Sequence, residues 1–474
     1  MQYYKLIFAV LFFCLIQPVS GKTYKMGEVI VNGKTYNAED ALQLYHPSHL
    51  NGVYEINGEV YVRLDDGAED LENMDFQGRT IASFEIDTFV SVRNCNFRDA
   101  NIQYIEGGEF ENCDFTNTWI EYGDTHLTLE DLKITKNFKE KTICFHPNCA
   151  VERTDLSGFT FSRTSFYSFD VTNCNIQKAK FINCLIPILS SGQLTQTYNY
   201  RTGNFHNIQV SRDNLWSNID LSNSFWGNDF HPNNSAERVI LTLSNDVNLT
   251  NAVFVHCNLS NSRDLTLEQV KSTWNYKAGR MSLSQWPEHI QKALQTSYFN
   301  DFKYWIDNPD MSARKPVPLS IPVYATGTDR HFPYTLQDTN IYFSHADLYR
   351  LDSLGKLKNY QVGLFVKCNF LPFPPQHFSP PKPVFVDMQK MAFLSCNFEI
   401  EFSIKENDKI KEIFDLTEAV FVDCDLTNVQ GLTLEQVKST WNYKAGRMSL
   451  CKWPEYIEKA LEEEEKAKAQ EEKK

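Results

Sequence analysis

A strict five-residue spacing of large apolar residues is the feature that most constrains how this chain can fold. Seven such residues follow one another without a slip: Leu156, Phe161, Phe166, Val171, Ile176, Phe181 and Ile186. A five-residue step turns by about 140° on a helix, and an odd step on a strand places successive side chains on opposite faces. Neither element can bury all of them. The spacing instead predicts a chain that turns a corner every five residues, with one side chain per edge pointing inward, which is typical of repeat architectures.

The same period recurs in other parts of the chain. It appears at Leu71, Phe76, Ile81 and Ile86; at Phe110, Phe115 and Ile120; at Leu249, Phe254 and Leu259; at Met388, Phe393 and Phe398; and at Leu416, Phe421 and Leu426. The phase breaks between Ile86 and Phe97 and between Ile102 and Phe110. We therefore expect an interrupted array and not one continuous rod.

Most of the twelve cysteines share this phase. They lie two residues before a large apolar residue, at Cys95, Cys113, Cys174, Cys184, Cys257, Cys368, Cys396 and Cys424. Ala100 and Ala252 hold the same position in other units. A buried thiol packs like a slightly larger alanine, so we expect this set to be reduced and buried.

These units resemble the pentapeptide-repeat family, whose unit is Ala-[Asp/Asn]-Leu-x-x. Asp155-Leu156, Cys174-Asn175-Ile176 and Ala179-Lys180-Phe181 match the unit as they stand. The resemblance implies a right-handed quadrilateral β-helix in which four five-residue sides make one turn. We accordingly expect an all-β dominated solenoid, interrupted in about four blocks by short helical closing segments.

A second repeat provides those closing segments. Leu265–Leu283 and Leu432–Leu450 are the same nineteen residues, LTLEQVKSTWNYKAGRMSL, and the surrounding 48 residues match at 35 positions. Diverged copies lie at Leu127–Lys139 and Leu189–Phe205. Thr266 and Gln269 form a capping-box pattern at a helix start, and Gly279 suits a helix stop. Pro287 suits the first turn of a further helix that ends near Leu294.

The N-terminus and the charge limit the location and the partners. Residues 1–21 read as a secretory signal, with Lys5, the apolar run Leu6–Ile16 and a small-residue cleavage site at Gly21. We expect an exported protein with no transmembrane span after cleavage. The net charge of −14 disfavours nucleic acid as a partner. A protein or a cell-surface polysaccharide is favoured over a small molecule, and the sequence leaves the particular partner open.

The resulting layout has twelve segments. They are the signal peptide 1–21; an N-terminal cap with hairpins 22–67; pentapeptide block 1, 68–126; closing segment 1, 127–150; block 2, 151–188; closing segment 2, 189–210; block 3, 211–264; closing segment 3, 265–295; an inserted subdomain 296–360; block 4, 361–431, with a proline-rich loop 371–383; closing segment 4, 432–461; and a charged tail 462–474.

Two sets of residues are candidates for chemistry or binding. Cys144 and Cys149 are out of phase in a turn-like loop, where a disulfide, free thiols or a metal site with His146 are all open. A combination of aromatic, amide and cationic side chains that could stack on a sugar ring occurs twice. It comprises Trp274, Asn275, Tyr276, Lys277, Trp441, Asn442, Tyr443 and Lys444. The alternative is that these aromatic side chains cover the end of a pentapeptide block. We predict no cofactor and no committed metal site, since His46 and His49 lack an obvious third ligand.

The function expected from this sequence is that of a non-catalytic exported scaffold or binding protein. No nucleophile elbow, phosphate loop, metal-ligand helix or dinucleotide fingerprint is present. One alternative is a polysaccharide-acting β-helix enzyme that uses paired carboxylates. A second alternative, which the family resemblance implies, is an acidic DNA mimic that binds gyrase, provided that the chain is not exported.

Overall fold

A computed structural model describes most of the chain outside its N-terminus and its central part. The described residues are 27–31, 34–44, 50–64, 70–87, 90–122, 129–143, 153–162, 171, 173–186, 189–210, 215–229, 239–294, 347–348, 363–370, 386–400, 402–406, 409–412 and 414–471. The chain divides into two compact units, Met1–Pro187 and Ile188–Lys474. No helix in these described ranges is long and apolar enough to cross a membrane.

Short strands dominate the first unit. Its strands are β1 (Glu28–Val31), β2 (Lys34–Asn37), β3 (Asn51–Ile56), β4 (Glu59–Leu64), β5 (Leu71–Glu72), β6 (Thr80–Ile86), β7 (Ser91–Arg93), β8 (Asn101–Glu106), β9 (Glu109–Glu111), β10 (Trp119–Tyr122), β11 (Thr142–Ile143), β12 (Thr160–Ser162), β13 (Lys180–Ile182) and β14 (Leu185–Ile186). Its helices are α1 (Ala38–Leu44), α2 (Leu129–Ile134) and α3 (Lys136–Lys139).

The first unit contains one mixed sheet and two small parallel sheets. The mixed sheet has seven strands in the order β10-β8-β6-β4-β3-β1-β2, and the small sheets have the orders β5-β7-β9 and β11-β12-β13. Strands β1 to β4 pair as antiparallel hairpins, with Asn57 and Gly58 at positive φ between β3 and β4. This matches the Asn-Gly hairpin pattern of the sequence.

The phased apolar residues form the core of the first unit. Phe97 stacks between Phe76 and Phe115, with ring centroids 5.0 and 4.8 Å apart. These rings come from successive parallel segments, because Asn96 bridges to Asp75 on one side and to Asp114 on the other. Offset ring stacks of this kind add to the energy of apolar burial.

The second unit has more helix. Its strands are β15 (Asn204–His206), β16 (Gln209–Val210), β17 (Leu215–Trp216), β18 (Phe225–Gly227), β19 (Val239–Ile240), β20 (Thr242–Leu243), β21 (Val253–Val255), β22 (Cys257–Asn258), β23 (Asp347–Leu348), β24 (Leu364–Val366), β25 (Asn369–Phe370), β26 (Val386–Asp387), β27 (Ala392–Leu394), β28 (Asn397–Phe398), β29 (Ser403–Glu406), β30 (Lys409–Glu412), β31 (Phe414–Asp415) and β32 (Val420–Val422). Its helices are α4 (Ser191–Gln196), α5 (Tyr198–Thr202), α6 (Leu267–Ser272), α7 (Trp274–Lys277), α8 (Glu288–Ala293), α9 (Leu434–Ser439), α10 (Trp441–Lys444) and α11 (Glu455–Glu471), with 3-10 turns at Met281–Leu283 and Met448–Leu450.

Two three-stranded parallel sheets in the second unit matter most for the site. One has the order β15-β18-β21 and the other the order β24-β27-β32. Their registers correspond, since Phe225 pairs with Val253 in the first and Ala392 pairs with Val420 in the second. We call residues 189–294 the first half and residues 363–471 the second half of this unit.

The predicted quadrilateral β-helix solenoid is wrong. The small sheets of the described residues have only two or three strands and none of them closes, while the one larger sheet combines antiparallel hairpins with parallel strands. The five-residue phase determines which side chains are buried, and it leaves open whether successive short strands join into one continuous wall. Breaks in phase and the helical segments prevent that continuity.

Other sequence predictions concern local structure and are confirmed. Of the seven phased residues from Leu156 to Ile186, all but Phe166 are described, and these are buried. The eight in-phase cysteines are buried, and none of them forms a disulfide with another described residue. The capping box of Thr266 also lies where it was expected. The signal region 1–21 and most of residues 296–360 lie outside the described residues.

Candidate functional site

All four closing segments contain the pattern Thr-x-Asn at the junction of two short helices. The threonines are Thr135, Thr197, Thr273 and Thr440. Thr273 shows the shared geometry. Its Oγ1 donates to the carbonyl of Val270 at 2.6 Å, and it accepts the N–H of Tyr276, so that it is the N-cap of α7. One hydroxyl therefore ends one helix and begins the next.

In the two identical closing segments, the asparagine of this pattern closes the edge of a sheet. Asn275 accepts the N–H of Phe254 at 2.8 Å and donates to the Phe254 carbonyl at 2.7 Å, and Asn442 makes the same two bonds with Phe421. Phe254 and Phe421 lie in edge strands β21 and β32. Because an unpaired edge exposes N–H and C=O groups, each amide replaces the missing next strand.

The two halves of the second unit pack against each other through the outer faces of their parallel sheets. In β21 and β32 every residue is buried, whereas in β9 Phe110 lies between the exposed Glu109 and Glu111. Side chains alternate along a strand, so the flanking residues of β21 and β32 face away from their own core. They meet in one apolar cluster, which we call the joint: Phe225, Val253, Val255, Trp274, Leu283, Leu364, Val366, Ala392, Leu394, Val420, Val422, Trp441 and Leu450.

Reciprocal tryptophan hydrogen bonds cross the joint. The indole N–H of Trp274 donates to the carbonyl of Glu418 at 3.0 Å, and the indole N–H of Trp441 donates to the carbonyl of Asn251 at 3.0 Å. Asn251 and Glu418 occupy the same position in the two copies of the duplicated segment. The contact is therefore self-complementary, as in a two-fold dimer.

A pair of arginines repeats this relationship. Arg280 Nε donates to the carbonyl of Lys390 at 2.8 Å, and Arg447 Nε donates to the carbonyl of Asn223 at 2.7 Å. Each guanidinium lies over a glycine of the other half at positive φ. A Cβ on Gly363 would come within 2.4 Å of Arg280, and one on Gly203 within 2.5 Å of Arg447.

The predicted aromatic patch is thus divided between the interior and the surface. Trp274, Asn275, Trp441 and Asn442 are buried, while Tyr276 is 39% exposed. Lys277 and Lys444 bond to Asn251 and Glu418 of their own halves, and Tyr443 is half-buried. The other predicted pair, Cys144 and Cys149, lies outside the described residues, as do His46, His49 and His146.

A charge cluster with His206 and Asp229 buried at its centre lies beside the joint, and sequence reasoning missed it. His206 of the first half donates through Nε2 to Asp229 at 2.7 Å and bonds through Nδ1 to Asp423 of the second half. Ser395 of the second half donates to Asp229 at 2.9 Å, and Lys367 Nζ lies 3.6 Å from the same carboxylate. The residues come from both halves, and His206 and Asp423 lie 217 positions apart in the sequence.

The carboxylates keep this histidine charged. Burial alone would lower the pKa of His206, but hydrogen bonds to Asp229 and Asp423 outweigh burial and raise the pKa from 6.5 to about 9. Burial would raise the pKa of Asp229, but its bond to His206 holds that pKa well below the usual range. The cluster is therefore an ion pair at neutral pH, and the side chain of His206 is only 1% exposed.

The charge cluster is poorly suited to hold a metal. Both imidazole nitrogens of His206 are already bonded to carboxylates, so that neither is free as a ligand. In the part of the chain that the structure describes, no group of three His, Cys, Asp or Glu side chains has an arrangement that could hold a metal ion.

An open pocket lies where Arg447 of the second half crosses to the first half. Its volume is about 230 Å³. The residues that line it include Thr195, Tyr200, Phe205, Asp220, Ser222 and Arg447. Burial lowers the pKa of Arg447, an effect that the negative charge of Asp220 partly offsets. Because these residues are far apart in sequence, no motif predicts the pocket.

No model of a known protein family, no curated protein and no solved structure matches this chain.

Proposed function

We propose that this chain is an exported, non-catalytic scaffold or binding protein, in which the duplicated closing segments join two halves of one unit. The closing segments connect the two halves of the second unit to each other, and a partner binds to other surfaces of the protein. The joint lies wholly within the second unit.

The reciprocal bonds of Trp274 and Trp441 carry this proposal. Each indole is buried and donates to a carbonyl of the opposite half. A side chain that binds a partner needs an accessible face, whereas these indole rings are packed and hydrogen-bonded inside the chain. The presence of two identical segments is then explained by a self-complementary contact, which needs the same surface on both sides.

The charge cluster supports a structural role in the same way. A general acid or base must come within hydrogen-bond reach of a substrate. His206 is 1% exposed and is bonded at both nitrogens. Its arrangement between Asp229 and Asp423 favours a permanent ion pair between the halves over proton transfer to a substrate.

A panel of cell-envelope polysaccharides, incubated with the full chain and with a His206→Gln variant, tests the proposal. We expect no release of reducing sugars by either protein, and binding without cleavage of any polysaccharide that the full chain retains. Sugar release by the unaltered protein that disappears in the variant would contradict the proposal.

Export is tested separately by sequencing the N-terminus of the protein isolated from the cell exterior. The apolar run Leu6–Ile16 and the small residues that end at Gly21 support cleavage before Lys22. A protein that remains inside the cell with Met1 intact would contradict this part of the proposal.

A further inference from the structure

We propose that the pocket beside Arg447 binds a small hydroxylated anion, and that an acidic monosaccharide such as a uronic acid is the ligand class that fits it. This inference rests on the proposed function in one respect, namely that the ligand is bound and not converted. It assigns a ligand class to a site that the joint alone does not explain.

The guanidinium of Arg447 supplies the anion-binding part of the pocket. Its Nε donates to the carbonyl of Asn223 at 2.7 Å and its Nη1 donates to the carbonyl of Arg201 at 3.3 Å. Both acceptors are neutral, and no carboxylate of the described residues lies within 4.0 Å of this guanidinium. A half-buried cation without a salt-bridge partner gains from a charge-assisted bond to an anion.

The remaining lining is suited to hydroxyl groups. Thr195, Tyr200 and Ser222 contribute hydroxyl-bearing side chains, and Asp220 contributes a carboxylate that also accepts the backbone N–H of Ser222 at 2.9 Å. A carboxylate accepts hydrogen bonds from ligand hydroxyls but repels a multiply charged anion. The lining therefore favours one negative charge and several hydroxyls on the same ligand.

The size of the pocket restricts the ligand to a single small ring. A volume of about 230 Å³ lies below the roughly 300–1,000 Å³ of sites for drug-sized ligands. A longer chain of sugars would have to extend through the open side.

The duplication provides a matched control for this site. Arg280 occupies the position in closing segment 3 that Arg447 occupies in closing segment 4, and it makes the corresponding bond across the joint, to Lys390. Arg280→Gln and Arg447→Gln therefore remove equivalent contacts between the halves. Only the second change removes a charge from the pocket.

Calorimetric titration of the full chain with glucuronate tests the inference, with glucose, acetate and inorganic phosphate titrated in parallel. We expect glucuronate to bind more tightly than the other three. We expect Arg447→Gln to weaken glucuronate binding by about tenfold or more, and Arg280→Gln to leave it unchanged. A further variant, Thr195→Phe, fills the pocket without altering an arginine and should also abolish binding.

Three results would overturn the inference: no binding of glucuronate to the unaltered chain, equal loss of binding in Arg280→Gln and Arg447→Gln, or equal binding of phosphate or acetate. The two proposals fail in different ways. An absence of binding removes the ligand site and leaves the non-catalytic assignment intact. Chemical conversion of bound glucuronate, followed by nuclear magnetic resonance, would contradict the non-catalytic assignment and support the site.

Discussion

Trp274 and Trp441 lie at the same position of two identical nineteen-residue segments, and each donates its indole N–H to a carbonyl of the opposite half. The equivalence extends to the acceptors, Glu418 and Asn251. Two copies of one sequence therefore form an intramolecular version of a two-fold dimer interface. The linkage between the copies makes their association independent of protein concentration.

Alanine at Gly203 or Gly363 should destabilise the second unit more than alanine at Gly279. All three glycines have positive φ, so that each substitution costs about 1 kcal/mol of backbone strain. A Cβ at Gly203 or Gly363 also collides with an arginine of the other half, and loss of that arginine's bond adds about 1–3 kcal/mol. Denaturant unfolding measures the difference, and equal losses at all three positions would contradict the arginine contacts.

The stability of the second unit should fall at alkaline pH because of His206. Its pKa rises from 6.5 to about 9 on folding, so the imidazolium stabilises the folded state fully below about pH 6.5. This contribution, about 3 kcal/mol for such a shift, is lost as the pH rises through 9. Unfolding free energies measured from pH 6 to pH 10 test the expectation.

The matched control for the pH experiment is His206→Asn, in which the histidine-specific slope should disappear. Other groups titrate in the same range, so the informative quantity is the difference between the two proteins at each pH. A constant difference from pH 6 to pH 10 would mean that His206 does not carry the charge assigned to it.

Asn442→Asp should destabilise the fold by about 1–3 kcal/mol, because it removes the donor to the Phe421 carbonyl and places a charge in a buried site. Lys444→Ala is the comparison, since Lys444 is exposed and its bond to Glu418 is a surface ion pair of about 0–1 kcal/mol. Thermal unfolding separates the two, and a tolerated aspartate would contradict the edge-closing role of Asn442.

The in-phase cysteines should resist alkylation in the folded protein. Burial raises the pKa of the Cys257 thiol, and the thiolate is the reactive form. Mass spectrometry after brief treatment with iodoacetamide at pH 8 should find Cys257 unmodified, and modified once denaturant is added. Rapid labelling of Cys257 in the folded protein would show that its strand opens readily.

The sequence predicts local features of this protein better than their assembly. The phase of Phe76, Phe97 and Phe115 identifies core residues, because burial depends on which face of the local chain a side chain occupies. The capping box at Thr266 and the Asn57-Gly58 hairpin depend on residues only a few positions apart. Such features can be read from short windows of sequence.

Whether the sheets close and how the joint forms both depend on contacts between residues that are distant in sequence. The five-residue period alone therefore did not predict either of them correctly. The period is compatible with a continuous wall and with separate short sheets. One signal for the joint was present: β21 and β32 read Val-Phe-Val, whereas the solvent-facing β9 reads Glu-Phe-Glu. No spacing links His206 to Asp423, since they come from different halves.

The unfolding free energy of the second unit in the variants Trp274→Phe and Trp441→Phe tests the joint most directly. Phenylalanine keeps an aromatic ring but removes the indole N–H, and it leaves a part-buried carbonyl of the opposite half without this donor. We predict that each variant is destabilised by about 1–3 kcal/mol, and by similar amounts because the contacts are equivalent. Unchanged stability in both variants, together with loss of binding to a partner, would contradict the account and show that these tryptophans form a binding surface.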